Sequence, residues 1–241
     1  MNDVNLGRKS ILILLLLATI AACSALDHID DKEEETITLR SSEKPGHSET
    51  FLIQKLGVQT EDRFLPLENS RPRVDVTHIM LHFMSNAANK PNEPYEIDDA
   101  YSLFLEYGVS AHYVIDREGS IHRFVPEERA AFHAGKGNLP DYPHYKDRLN
   151  DYSIGIELLA IGTEEEMLAM IPGLRYDSID PSLIGYTDVQ YETLNLLLDD
   201  LYERYPTIPP DRNHVIGHDE YAPDRKTDPG SLFDWSAIGY E

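Results

Sequence analysis

From about residue 72 onward, apolar and polar positions follow the patterns of a folded domain. Short apolar runs predict buried strands, and apolar residues spaced three and four apart predict helices. Strands are predicted at residues 76–83, 111–115, 121–125, 153–159 and 214–216. Because these strands interleave with two long helical segments, we predict an α/β (α+β) fold with a mostly single mixed central sheet flanked by helices.

Both helical segments have identifiable ends. Residues 94–107 carry an apolar face and are followed by Gly108, a residue type that commonly ends helices. The second helix is predicted to begin at Thr187, because Thr187 and Gln190 have the spacing of a capping box. Its leucines recur at helical spacing, and we interpret them as core residues rather than as part of a ligand site.

Residues 162–185 interrupt this regular pattern. The stretch opens with Thr163 followed by three glutamates and continues as a mixed, proline-containing sequence. Two interpretations are open. The stretch is either an insertion on the rim of a site, where loops often tune substrate access, or a plain surface excursion.

The N-terminal region is different in character. Residues 11–20 form a mostly apolar run behind two basic residues, long enough for a secretion signal but too short to span a bilayer. The run ends in Ile-Ala-Ala followed by Cys23, which resembles the lipobox of bacterial lipoproteins. We therefore predict a lipoprotein signal peptide at residues 1–22 and lipidation at Cys23. An ordinary cleaved signal peptide with an incidental cysteine is the alternative.

The segment after Cys23 is polar and acidic, with too little apolar content to pack by itself. We predict that residues 23–62 are an acidic flexible tether and that residues 63–241 form one folded domain. A lipid anchor places the protein in the cell envelope. In a Gram-negative cell this is the outer membrane facing the periplasm, and otherwise it is the outer face of the cell membrane.

The chain is strongly acidic. Asp and Glu number 43 against 21 Lys and Arg, which gives a formal net charge of −22 at pH 7. Such a surface repels phosphate backbones and anionic headgroups, so the composition argues against nucleic-acid binding and against a charge-driven grip on lipid. Solubility is the plainest reason for the acidity.

Two of the ten histidines, His82 and His218, are candidate metal ligands. Both stand at the ends of predicted strands, which converge on one rim of a sheet, whereas the others lie in the tether, in turns or on strands where a structural hydrogen bond is the default. Asp228 can return to them through turns at Pro223 and Pro229, although a turn carboxylate before Pro229 is the alternative. Two imidazoles and one carboxylate suit Zn²⁺ and leave its fourth position open.

A zinc hydrolase also needs groups that handle protons and developing charge. Glu157 ends the apolar run at residues 154–156 and is the candidate general base, with a strand-end surface carboxylate as the plainer interpretation. Lys226 lies two residues before Asp228, so both side chains point the same way in an extended segment. A cation there can stabilise the oxyanion of a tetrahedral intermediate, unless it is one more surface lysine.

Several short motifs, in one order along the chain, resemble the amidase-2 class of zinc-dependent N-acetylmuramoyl-L-alanine amidases, whose fold is shared with peptidoglycan recognition proteins and small phage amidases. The resemblance spans about residues 74–236, and the combination is specific whereas any single piece is not. The motifs are Leu81-His82, Val109 through Tyr113, Phe132 through Gly135, Asn150 through Glu157, Tyr186 through Tyr191, His218 through Gly230, and Phe233 through Trp235.

The resemblance implies that residues 63–241 form a zinc amidase domain, and it implies roles for individual residues. His82, His218 and Asp228 correspond to the zinc ligands of the family. Glu157 corresponds to the carboxylate that activates water, and Lys226 to the lysine that steadies the transition state.

Two further residues are implied to bind substrate. His133 corresponds to a histidine on the cleft wall, and Arg148 to an arginine that in some relatives grips a stem-peptide carboxylate, a task that suits a guanidinium fork. The chain also departs from the family pattern. Phe83 stands where recycling relatives tend to have a polar residue, Ala111 stands where phage relatives carry a tyrosine, and residues 162–185 are longer than in compact relatives.

The implied reaction is hydrolysis of the amide between the lactyl group of N-acetylmuramic acid and L-alanine, the first residue of the stem peptide. The expected partners are peptidoglycan or muropeptides and, through the lipid, a membrane, and we expect a monomer. Two rivals remain open. One is a non-catalytic peptidoglycan-binding module, and the other is a zinc hydrolase of another amide, because fold analogy does not fix the substrate.

Overall fold

The computed structural model describes residues 60–240. The predicted signal peptide, the predicted lipidation site Cys23 and the predicted tether up to residue 59 lie outside the described residues. Strand β1, Thr60–Asp62, occupies the last three residues of the predicted tether, so the sheet begins there rather than after residue 62. Within the described range, none of the helices combines the length and apolar character that crossing a bilayer requires.

The described part of the chain contains eight strands in two sheets. After β1 they are β2 (Ser70–Pro72), β3 (His78–Met84), β4 (Tyr113–Ile115), β5 (Ile121–Arg123), β6 (Arg129–Ala131), β7 (Ser153–Leu159) and β8 (Val215–Gly217). The main sheet has the order β1-β5-β4-β7-β3-β8, in which β4 and β5 are antiparallel and the other pairs are parallel. Strands β2 and β6 form a separate antiparallel pair. The predicted mixed, mostly single sheet is confirmed.

Four α-helices lie in the same range. They are α1 (Ile97–Tyr107), α2 (Glu164–Met170), α3 (Asp188–Arg204) and α4 (His218–Tyr221). Helix α1 ends at Gly108, whose φ of 63° is the left-handed conformation that glycine adopts at low cost. Helix α3 begins with the predicted capping box, in which Thr187 and Gln190 each accept the backbone N–H of the other.

Helix α2 lies in the stretch that the sequence pattern left irregular. It begins with a capping box between Thr163 and Glu166, and this spacing is visible in the sequence. Seven residues give only two turns, too few for a reliable apolar period, so the sequence analysis missed this helix.

The two long helices cover opposite faces of the main sheet. Leucines of α3 cluster with Tyr113 and Ile115 of β4, whereas Phe104 of α1 clusters with Val114 between them, and neighbouring residues of a strand point to opposite faces. Strands β3 and β7 run parallel, with His82 opposite Glu157 in the register. The register therefore brings these two side chains together near the carboxyl ends of the strands.

Candidate metal centre

Three buried side chains converge where β3 and β8 end. His82 lies near the end of β3, and His218 directly follows β8 as the first residue of α4. Asp228 lies in the loop after α4, which returns to this point because the N–H of Asp219 donates to the backbone carbonyl of Asp228 at 2.8 Å. One candidate ligand atom from each of the three lies within 4.8 Å of the others. The structure thus brings together the three predicted metal ligands.

The hydrogen bond of His218 determines which of its ring nitrogens carries the proton. Its Nε2 lies 2.9 Å from the backbone carbonyl oxygen of Ala134. A carbonyl oxygen can only accept, so Nε2 is the donor, and the Arg225 Nη2 at 3.4 Å is too distant to compete with this bond. The other nitrogen, Nδ1, therefore carries a lone pair in the neutral imidazole.

A longer chain of hydrogen bonds gives the same result for His82. Its Nε2 lies 3.0 Å from Nδ1 of His133, whose Nε2 lies 3.2 Å from the hydroxyl oxygen of Ser153. The Ser153 hydroxyl donates its hydrogen to the carbonyl of Leu149 at 2.7 Å, so it accepts from His133. His133 Nδ1 is then an acceptor for His82 Nε2, and His82 Nδ1 carries a lone pair.

Three lone-pair atoms therefore face one another. Asp228 Oδ2 lies 2.7 Å from His82 Nδ1 and 3.1 Å from His218 Nδ1, and this proton assignment places no hydrogen in either contact. The second carboxylate oxygen, Asp228 Oδ1, is buried without a hydrogen-bond partner. Buried acceptors that converge in this way need a cation between them. The donor set, two imidazole nitrogens and a carboxylate, fits a divalent metal ion.

The pKa of His82 agrees with this assignment. Burial lowers it to about 4, against the opposing influence of Asp228. At neutral pH, His82 is therefore a neutral imidazole, which can present a lone pair to a metal ion.

Glu157 lies beside the centre but is not one of the three converging ligands. Its side chain is buried, and its Oε2 has no hydrogen-bond partner. Burial, followed by the negative charge of Asp228, raises the pKa of Glu157 to about 8, and the positive charge of Lys226 opposes this rise. A carboxyl group with a pKa near neutrality is suited to taking up and releasing protons.

A cleft of about 620 Å³ opens over the centre, and Lys226 and His133 line it. One part of the lining comes from α1 and the residues after it, including Tyr107 and Val109. Another part comes from the 162–185 stretch, whose lining residues are Met167, Met170, Ile171 and Pro172. This stretch therefore lies on the rim of the site, which is the first of the two interpretations drawn from the sequence.

Among residues 60–240, every predicted site residue except Arg148 lines this cleft. It is exposed, and its guanidinium carbon lies 5.6 Å from the ring centroid of Tyr152, to whose hydroxyl it donates at 3.3 Å. Its proposed grip on a stem-peptide carboxylate stays a prediction.

The sequence analysis did not identify the partners of the two histidines. Ala134 contributes only a backbone carbonyl, and Ser153 reaches His82 only through His133. Asn150 accepts the N–H groups of both His133 and Ala134. These residues lie within the motifs that resemble the amidase family, but a motif does not show which residues its members contact.

Two histidines and an aspartate beside the carboxyl end of an α/β sheet, with a further carboxylate and an open cleft, form an arrangement that suits metal-assisted hydrolysis. A family model described as N-acetylmuramoyl-L-alanine amidase, Amidase_2, matches residues 71–231. The chain belongs to this family.

Individual relatives support this assignment. The 1,6-anhydro-N-acetylmuramyl-L-alanine amidase AmpD of Salmonella typhimurium (strain SL1344) is 38% identical over 140 residues, 57% of this chain and 60% of that protein. The N-acetylmuramoyl-L-alanine amidase AmiD of Escherichia coli (strain K12) is 27% identical over 200 residues, 80% of this chain and 62% of that protein. The chain thus spans about 60% of the length of these curated relatives.

A solved structure also agrees with the fold. The crystal structure of a selenomethionine derivative of AmpD aligns with a TM-score of 0.53 at 30% sequence identity. The alignment covers 74% of this chain and 92% of that chain. The predicted family fold is therefore confirmed.

Proposed function

We propose that this protein is a zinc-dependent N-acetylmuramoyl-L-alanine amidase, which hydrolyses the amide between N-acetylmuramic acid and L-alanine in peptidoglycan or in fragments released from it. Family membership supports the reaction class. The observation that carries the proposal is the complete set of His82, His218 and Asp228, beside Glu157, in one open cleft. A module that only binds peptidoglycan has no need for three converging lone pairs and a carboxyl group of raised pKa.

Zinc is the proposed metal because the donor set is nitrogen, nitrogen and oxygen. His82, His218 and Asp228 would hold it. Bound zinc supplies a Lewis acid that acidifies water and polarises a carbonyl group.

Within this proposal the chain's own residues move the proton and balance the charge. Glu157 accepts a proton from the attacking water at its unpartnered Oε2 and delivers it to the amine that leaves. Lys226 places a positive charge in the cleft where the substrate carbonyl becomes an oxyanion. The apolar walls formed by α1 and α2 limit the access of bulk water to these groups.

A cell-envelope location is a separate part of the proposal. It is supported by the signal-like pattern of residues 1–22 and by the lipobox that ends at Cys23. Cys23→Ala should move the protein from the membrane fraction to the soluble fraction, or leave its precursor unprocessed. A processed variant that still fractionates with membranes would place the anchor elsewhere.

The decisive experiment is an assay of purified protein on peptidoglycan and on 1,6-anhydro-muropeptides, with and without a chelator. We expect release of stem peptides with a free L-alanine amino group, loss of release with the chelator and recovery on adding zinc. Binding of peptidoglycan without release would indicate the non-catalytic module. Cleavage of a different amide only would indicate a zinc hydrolase of another substrate.

A further inference from the structure

One short loop contacts both histidine ligands from outside the centre. The side chain of His133 contacts His82, and the backbone carbonyl of the next residue, Ala134, contacts His218. We propose that this loop, residues 133–135, fixes the orientation and the tautomer of both ligands, with His133 as a positioning residue and Asn150 as the clamp that holds the loop. The inference deepens the proposed function, because it rests on His82 and His218 binding a metal.

The clamp is a single side-chain oxygen. Asn150 Oδ1 accepts the backbone N–H of His133 at 3.0 Å and that of Ala134 at 2.7 Å. Asn150 is itself buried and lies just before β7, the strand that carries Glu157. The loop is therefore tied to the same strand that supplies the proposed base.

The His133 ring occupies a position that only a glycine neighbour permits. A Cβ built on Gly155 of β7 would lie 2.4 Å from the His133 ring, far inside van der Waals contact. The ring therefore rests directly on the β7 backbone, where its Nε2 reaches Ser153 and its Nδ1 reaches His82. Backbone packing and two hydrogen bonds together define its orientation.

The Ala134 carbonyl also accepts a hydrogen bond from Arg225. Arg225 donates to it at 2.8 Å and to the carbonyl of Lys136 at 2.7 Å. The carbonyl has two lone pairs, so it can accept from Arg225 and from His218 Nε2 at once. The direction of this carbonyl, and with it the orientation of the His218 ring, is set by the loop.

Partners of this kind determine how well a histidine binds metal. They fix which nitrogen is deprotonated and stop the ring from rotating, and losing one typically lowers metal affinity by about 10- to 100-fold. With Nε2 protonated on both rings, Nδ1 is presented to the metal in each case. Loss of the His133 contact would leave His82 free to exchange tautomers.

The test compares two substitutions at His133 in the full chain. His133→Leu removes the acceptor, whereas His133→Asn keeps a polar oxygen near the position of Nδ1. The dissociation constant for Zn²⁺, measured by competition with a chelator, should rise about 10- to 100-fold in His133→Leu and recover substantially in His133→Asn. His78→Gln, which alters another buried histidine of β3 outside this network, should leave the constant unchanged.

A second measurement needs no substitution. Nitrogen NMR of the wild-type protein should find Nε2, and not Nδ1, protonated on both His82 and His218, with or without metal. A proton on Nδ1 of either ring, or equal zinc affinity across the His133 series, would overturn the inference while leaving a zinc-dependent amidase in place. Wild-type protein that binds no zinc would overturn the proposed function, and the NMR measurement would still decide the role of the loop.

Discussion

Two of the buried polar clusters among residues 60–240 differ in whether the protein satisfies their hydrogen bonds. The first surrounds Glu127, which is 3% exposed. Its carboxylate accepts from Arg204 at 2.9 Å, from the Tyr205 hydroxyl at 2.7 Å and from the Tyr113 hydroxyl, and Arg204 also donates to Asp200 at 2.7 Å. Both carboxylate oxygens of Glu127 therefore have donors from the protein itself.

The second cluster is the candidate metal centre. Among residues 60–240, the buried carboxylate oxygens without a hydrogen-bond partner are Asp228 Oδ1 and Glu157 Oε2, and both belong to it. The histidines beside them direct lone pairs inward rather than N–H groups. An unsatisfied buried polar atom costs about 1–3 kcal/mol, and more when it is charged.

The pKa values of the two buried glutamates shift in opposite directions, because their neighbours carry opposite charges. Burial raises the pKa of either glutamate. At Glu127 the hydrogen bonds and charge of Arg204 outweigh burial and hold the pKa below its ordinary value. At Glu157 burial and Asp228 prevail and raise the pKa to about 8. The Glu127 cluster is complete without a ligand, whereas the incomplete cluster is where we propose that a metal ion binds.

The largest effect should come from removing a ligand from the incomplete cluster. His82→Ala should lose bound zinc and amidase activity together, because two ligands hold zinc poorly. Elemental analysis and the muropeptide assay on the same preparation would check this. A variant that keeps one zinc per chain and full turnover would contradict the ligand assignment.

Removing the base should separate chemistry from metal binding. Glu157→Gln is close in shape but cannot accept the proton, so turnover should fall by about 10² to 10⁴ with zinc content unchanged. Steady-state rates and elemental analysis are the measurements, with the wild-type melting temperature as the control for folding. Retained turnover would make Glu157 structural, and lost zinc would make it a ligand.

Breaking the complete cluster should affect stability instead. Arg204→Met leaves the buried Glu127 carboxylate without its cation, and breaking a buried pair in this way costs about 3–5 kcal/mol of unfolding free energy. Urea unfolding measures the loss, while zinc affinity and turnover per folded molecule should not change. The double variant Arg204→Met with Glu127→Leu should recover part of the stability, because it removes the unpaired Glu127 carboxylate, whereas the buried Asp200 still lacks its cation. If the double variant lost as much unfolding free energy as Arg204→Met alone, this account would be wrong.

The smallest effect concerns a buried histidine that belongs to neither cluster. The pKa of His78 is lowered to about 4 by burial and by the charge of His214, against Asp211. Below about pH 6.5 the unfolded chain binds a proton that folded His78 does not, so stability is full at neutral pH and declines as the pH falls towards 4. This contributes a loss of about 1 kcal/mol between pH 6.5 and 5.5.

Thermal or urea unfolding of wild type and His78→Gln across this range, under the same metal conditions, would isolate that contribution. The variant should show a shallower decline with acidification. Parallel curves for the two proteins would show that His78 titrates normally in the folded state.

Several local elements of this protein could be predicted from the sequence. Strand β7 has the predicted bounds, 153–159, and α3 begins at the predicted cap Thr187. Both follow from interactions between neighbouring residues, namely an apolar run and hydrogen bonds three residues apart. The candidate ligands His82, His218 and Asp228 could also be recognised, because few side chain types bind zinc.

How these elements meet depends on contacts between distant parts of the chain. His82 and Asp228 are 146 positions apart in the chain and 2.7 Å apart in space, and nothing local to either residue encodes that contact. Packing between distant segments also sets three other features of the site. It places His82 opposite Glu157 in the sheet register and brings the loop at His133 against both histidines. It also places Arg148 away from the cleft. The physical reason is that local geometry is fixed by adjacent residues, whereas a binding site forms only when separate strands and loops pack against one core.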